Sequence, residues 1–133
     1  MDKRKILIID DEEDFARLVK LNLESIGPYA VKIETDPSAA IDSALNFLPD
    51  LIFIDVVMPQ MEGPDVYAHL RNHVEFKDTI VIFLTATVTK EEVAAQEGII
   101  GGHLFFAKPG SIEELVDCIE KSIMTPRFRL DAT

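Results

Sequence analysis

Five polar side chains stand where short apolar runs end, and their types suit one kind of chemistry. Asp10 and Asp11 follow the run at 6–9, Asp55 follows 51–54, Thr85 follows 80–84, and Lys108 comes just after 104–106. Carboxylates brought together repel one another and stay jointly ionised only with a cation between them. An oxygen-only donor set favours Mg²⁺ or Mn²⁺, hard ions that keep several waters and take one or two carboxylates. A carboxylate can also act as a nucleophile and take up a phosphoryl group as an aspartyl phosphate. Metal and lysine then neutralise the phosphoryl oxygens, and a threonine hydroxyl donates to one of them.

Taken singly, each residue has an ordinary explanation. An Asp after a strand commonly makes a turn or caps a helix, and the acids from Asp10 to Asp14 suit a helix N-terminus. A strand-end threonine can bond to backbone, and a lysine is usually a solvated charge. Their recurrence after four successive apolar runs is what argues for a site.

Those runs are the elements that must position the site. Residues 6–9, 51–54, 80–84 and 104–106 are rich in Ile, Leu, Val and Phe and do not alternate with polar residues. That is the pattern of strands buried on both faces of a parallel sheet. A weaker run at 31–33 suits an edge strand. Between the strands, Phe15, Leu18, Val19, Leu23 and Ile26 recur at helix spacing and Gly27-Pro28 stops the helix. Further helices are expected over 38–47, from Pro64 to about Asn72, over 89–98 and over 111–123. Thr89 with Glu92 and Ser111 with Glu114 have the spacing of capping boxes. Five alternations of strand and helix predict an α/β sandwich with right-handed crossovers. In such a sheet, ligands bind at the carboxyl ends of the strands where the strand order reverses.

Composition narrows the function. At 133 residues the chain is about one domain, long enough to fold on its own core. Cys118 is the single cysteine, so no internal disulfide forms and a reducing compartment is expected. The net charge of −11 repels phosphate backbones and anionic lipid, which argues against direct nucleic-acid binding. No signal peptide or bilayer-length apolar run is seen, and the expectation is a cytoplasmic protein without membrane insertion. The domain is expected to fill 1–124, with 125–133 a loosely held tail.

Four motifs in order then resemble the response-regulator receiver family of two-component signalling, including its chemotaxis regulators. They are Ile-Ile-Asp-Asp-Glu-Glu (8–13), Asp-Val-Val-Met-Pro-Gln-Met-Glu-Gly (55–63), Thr-Ala (85–86) and Phe-Phe-Ala-Lys-Pro (105–109), and the likeness runs from 3 to 123. It implies a flavodoxin-like, doubly wound five-stranded parallel sheet in the order 2-1-3-4-5 with five helices. It implies Asp55 as phosphoacceptor, with Asp10, Asp11, Asp55 and the Val57 carbonyl around Mg²⁺ and Asp10 acting through water. Lys108 would pair with Asp55 and then with the phosphoryl group, which the Val57 and Ala86 backbone would also contact. Thr85 would move toward that group and Phe105 would fill the space it leaves, while Pro109 would shape the loop after Lys108. The implied partners are a sensor histidine kinase or histidine phosphotransfer protein, and a downstream protein at the face of fourth helix, fifth strand and fifth helix. The implied role is a switch that phosphorylates and dephosphorylates itself, not an enzyme turning over an external substrate.

Three positions depart from the family pattern. Phe105 stands where Tyr is common, residues 98–103 (Gly-Ile-Ile-Gly-Gly-His) make a loop one residue longer than in the chemotaxis member, and Gly110 replaces a frequent aromatic. His69 and His73 are spaced i, i+4, yet no acidic third ligand shares that face, and His103 reads as a loop residue. Met58 and Met61 read as packing, and Cys118 as a partly buried thiol. Two other readings compete: a receiver-like binding module that works without phosphorylation, and a metal-dependent phosphohydrolase. The complete set of Asp10, Asp11, Asp55, Thr85 and Lys108 weighs against the first. The lack of a general acid beside Asp55, of a lid and of a substrate domain weighs against the second.

Overall fold

Four consecutive residues of strand β1 (Arg4–Ile9), Ile6 to Ile9, are at most 1% exposed, so both faces of this strand must be covered. The computed structural model, described for residues 3–86, 92, 99–100, 103–108 and 110–124, shows how. The further strands are β2 (Tyr29–Glu34), β3 (Leu51–Asp55), β4 (Ile80–Thr85), β5 (Ile99–Ile100) and β6 (His103–Ala107). They form one sheet in the order β2-β1-β3-β4-β6-β5. The first five places are parallel and reproduce the expected 2-1-3-4-5 topology, with β6 in the fifth place.

The outer edge differs from expectation. The sequence predicts a loop over 98–103, yet Ile99 pairs with Leu104 and Ile100 with His103 in an antiparallel ladder.

Because side chains alternate along a strand, the sheet has two cores. Ile6, Ile8, Phe53, Ile82 and Leu84 meet helices α1 (Glu13–Ile26) and α4 (Ile112–Met124) through Leu23, Leu115 and Ile119. Leu7, Ile9, Ile52, Ile54 and Phe83 meet α2 (Ala40–Phe47) and α3 (Gly63–Arg71) through Ala44, Val66 and Leu70. Each fully buried side chain of this size contributes about 1.5–3 kcal/mol.

Three helix details refine the sequence reading. In α1, Leu18 is 59% and Ile26 55% exposed, while Ala16 and Leu23 are buried with Phe15 and Val19 beside them. At 100° per residue Leu18 faces away from Ala16, and Ile26 is the last residue of the helix. The helix expected from Ser38 opens as a 3₁₀ turn, Pro37–Ala39, and Asp36 accepts from the Ser38 N–H at 3.0 Å. Leu48, at φ 52°, ends α2 in the left-handed region ahead of Pro49. The Ser111 and Glu114 capping box forms: the Ser111 N–H donates to Glu114 at 2.9 Å and the Glu114 N–H to Ser111 at 3.0 Å.

The helix expected over 89–98 lies outside the described residues except for Glu92, as do Pro109 and the tail 125–133. No helix among the described residues is long and apolar enough to cross a membrane.

Candidate functional site

Parallel pairing carries the ends of β1, β3, β4 and β6 to one edge, and the strand order reverses between β1 and β3. Asp10 follows β1 and Asp55 closes β3, so two carboxylates flank that switch point. Asp10 is fully buried and Asp55 is 6% exposed, whereas Asp11 lies in the open. Oxygens of all three lie within 4.8 Å of one another.

Local sequence holds these groups in place. The Asp10 N–H donates to the Glu34 carbonyl at 3.1 Å, and Asp10 Oδ1 accepts from the Glu12 N–H at 2.9 Å. After Asp55, the Gly63 N–H donates to the Val56 carbonyl at 2.8 Å, doubling the chain back on the strand end. A Cβ on Gly63 would stand 2.5 Å from the Asp55 carbonyl oxygen, so the start of α3 can approach only without a side chain. The Lys108 N–H donates to the Thr85 carbonyl at 2.7 Å, joining the ends of β6 and β4. Thr85 itself is 2% exposed.

The lysine meets Asp55, the partner the resemblance implies, together with two other carboxylates. Its ammonium lies 2.5 Å from Glu12 Oε1 and 2.9 Å from Asp10 Oδ2, but 3.7 Å from Asp55 Oδ1. It also sits 4.7 Å from the centre of the Phe15 ring, and the side chain is only 7% exposed. The expected pairing with Asp55 is thus the longest of three contacts, because two further carboxylates compete for one cation. Sequence alone gives Glu12 no role in the site beyond its place in the motif at 8–13. Its signal is that it occupies the N-cap of α1 without capping it, leaving its carboxylate for something else.

A cleft of about 200 Å³ opens over the cluster, lined by Asp11, Glu12, Asp55, Val56, Val57, Thr85, Ala86 and Lys108. Its carboxylates and ammonium shift one another's protonation. Burial, followed by the Asp10 charge, pushes the Asp55 carboxyl up to about 7, against the pull of Lys108. Burial disfavours the Lys108 ammonium, yet its hydrogen bonds to Glu12 and Asp10 outweigh that and hold its pKa above the ordinary value. Three clustered carboxylates with no nitrogen or sulfur donor fit a hard dication such as Mg²⁺.

Other singled-out residues fall beside the site. Phe105 is half-buried with its ring 5.3 Å from Phe83. His103 belongs to β6, not to a loop, and meets Tyr67 and Phe83 edge-on at 5.1 and 5.7 Å. His69 and His73 join no metal-ligand group among the described residues. Met58 is buried and Met61 packs on the same core. Cys118 is partly buried, and burial pushes its thiol up to about 11. A Cβ on Gly110 would meet the Phe106 ring at 2.4 Å, which accounts for glycine there.

A doubly wound parallel sheet with an acidic cluster at its switch point, flanked by a hydroxyl and an ammonium, defines a class of α/β proteins suited to holding a cation beside one carboxylate. The family model "Response regulator receiver domain" matches residues 6–120, and the chain belongs to that family, the receiver domains of two-component response regulators. It is 34% identical over 113 residues to the response regulator ArlR of Staphylococcus saprophyticus, covering 84% of this chain and 49% of that protein. Protein PilG of Pseudomonas aeruginosa is 29% identical over 122 residues, covering 92% and 89%. The chemotaxis protein CheY4 of Vibrio cholerae superposes with a TM-score of 0.77 at 26% identity, covering 90% and 98%. The chain spans about half the length of several curated relatives it matches.

Proposed function

We propose that this receiver is a phosphorylation-dependent switch in which Asp55 accepts a phosphoryl group from a histidine. The observation that supports it best is the buried Asp55 carboxylate in contact range of both Asp10 and Lys108 at the floor of an open cleft. An Asp55 oxygen attacks phosphorus and the donor's imidazole nitrogen leaves, giving an acyl phosphate. Asp10, Asp11, Asp55 and the Val57 carbonyl would hold Mg²⁺, which supplies charge neutralisation when bound. Lys108 would move to a phosphoryl oxygen, the Thr85 hydroxyl and the Ala86 backbone would donate to others, and Val57 borders the same cleft.

The readout follows from charge. A phosphoryl group adds about two negative charges, which Thr85 and Lys108 meet only in the phosphorylated state. Drawing Thr85 toward the cleft would free space for Phe105, whose ring lies tilted against Phe83 of β4 at 5.3 Å. The change would be read at the face of the helix expected over 89–98, β6 and α4 by a downstream protein, after a sensor histidine kinase or phosphotransfer protein has acted at the cleft. Pro109 would shape the loop between Lys108 and α4. On this reading the receiver domain over 1–124 would work in the cytoplasm, turn over no external substrate, bind no nucleic acid directly and insert into no membrane.

Intact-protein mass after incubation with acetyl phosphate and Mg²⁺ tests the reading. One phosphoryl adduct, lost with chelator and in Asp55→Asn, is expected. No adduct on a folded protein would favour a binding module that works without phosphorylation.

A further inference from the structure

The Glu12 carboxylate has no local task. Glu12 stands at the N-cap of α1, where its side chain makes no capping bond, and its own N–H is taken by Asp10. A shorter Asp, Ser or Thr would serve the helix better. What the longer side chain reaches is Lys108, at 2.5 Å, closer than Asp10 at 2.9 Å or Asp55 at 3.7 Å.

The contacts around that ammonium also differ in how easily they release it. Asp10 is fully buried, so losing the ammonium would leave a charge without water. The Glu12 side chain is 61% exposed and can rehydrate at once. Lys108 is confined by the Phe15 ring, and among the described residues its ammonium has the oxygens of Glu12 and Asp10, with Asp55 farther off, to choose among.

We propose that Glu12 is a positioning residue that restrains Lys108 in the unphosphorylated protein and competes with the incoming phosphoryl group for its ammonium. Glu12 thereby sets the threshold at which the site engages a phosphoryl donor: Lys108 must let go of Glu12 before it can reach a phosphoryl oxygen. This rests on the phosphoacceptor reading of Asp55 and adds to it a resting state in which the lysine is already committed elsewhere.

The test compares wild type with Glu12→Gln, which keeps the shape and removes the charge. Initial phosphorylation rates are measured across acetyl phosphate concentrations at saturating Mg²⁺, and beryllofluoride binding is followed by fluorine NMR. Glu12→Gln is expected to lower the half-saturating acetyl phosphate and the beryllofluoride dissociation constant by roughly threefold, the scale of a part-exposed ion pair. The same comparison in a Lys108→Met background separates this role from simple repulsion of an anion. If Glu12 acts through Lys108, the gain disappears there. A gain of equal size in that background, or none in the native one while the wild type still forms its adduct, would overturn the inference and leave the phosphoacceptor reading standing. No adduct in the wild type would overturn both.

Discussion

Where the strands begin, Arg4 faces Glu120 at 3.3 Å, Tyr29 donates to the same Glu120 at 2.5 Å, and the Lys5 N–H donates to Asp50 at 2.8 Å. Where the strands finish, Asp10, Glu12 and Asp55 all turn to one ammonium and Asp11 stands beside them. The first end matches opposite charges and hydrogen bonds, and links β1, β2 and α4. The second accumulates like charge that the fold alone does not neutralise. The same strands thus carry matched charge at one end and unneutralised negative charge at the other, which is the end the proposed function calls on.

The comparison can be broken most sharply at Lys108. Lys108→Ala leaves Asp10 buried beside Asp55 without its ammonium and is expected to destabilise the Mg²⁺-free protein by about 3 kcal/mol. Urea unfolding with and without Mg²⁺ checks this, and most of the loss should return when the ion is present. The phosphorylation-dependent change in spectrum should shrink more than Mg²⁺ affinity does.

Asp55→Asn should act in the opposite direction. A carboxyl whose pKa is raised in the folded state contributes stability at low pH that is lost as pH rises through the folded value, here about 7. Without Mg²⁺ at pH 8, the neutral amide is expected to raise stability by about 2 kcal/mol, as the relief of a buried like charge. Equal unfolding midpoints for the two proteins at pH 8 would mean that the site carries no such repulsion.

The same proton governs the metal. Mg²⁺ must displace it below about 7, so affinity should fall by about tenfold per pH unit there and level off above. Calorimetric titration from pH 5.5 to 8.5, a window of about 3 units around that value, reads the slope. A flat profile would mean that Asp55 is ionised throughout.

The smallest effect is expected at the other end. Tyr29→Phe removes the donor to Glu120 but leaves Arg4 in place, so the loss is about 1 kcal/mol. Mg²⁺ affinity should not move. A change in affinity would show that the two ends are coupled.

Much of this was legible in the residues themselves. The unalternating Ile and Leu of β1, β3 and β4 announce burial on both faces, and Ser111 with Glu114 announces the start of α4, because these signals depend only on neighbours along the chain. Asp10, Asp11, Asp55, Thr85 and Lys108 were likewise visible, since each ends a strand or follows one closely.

What the sequence determined by itself was therefore the alternation of elements, the two-sided sheet and the residue types at its strand ends. Only tertiary structure decided which ends become neighbours and how the charges divide among them. It placed Lys108 nearer to Glu12 and Asp10 than to Asp55, turned Ile99–Ile100 into an edge strand, and left Leu18 outside the core. The physical reason is that periodicity and capping act over a few residues. The partner of an ammonium 96 residues away is instead chosen by distance, desolvation and competition among all the carboxylates the fold brings within reach.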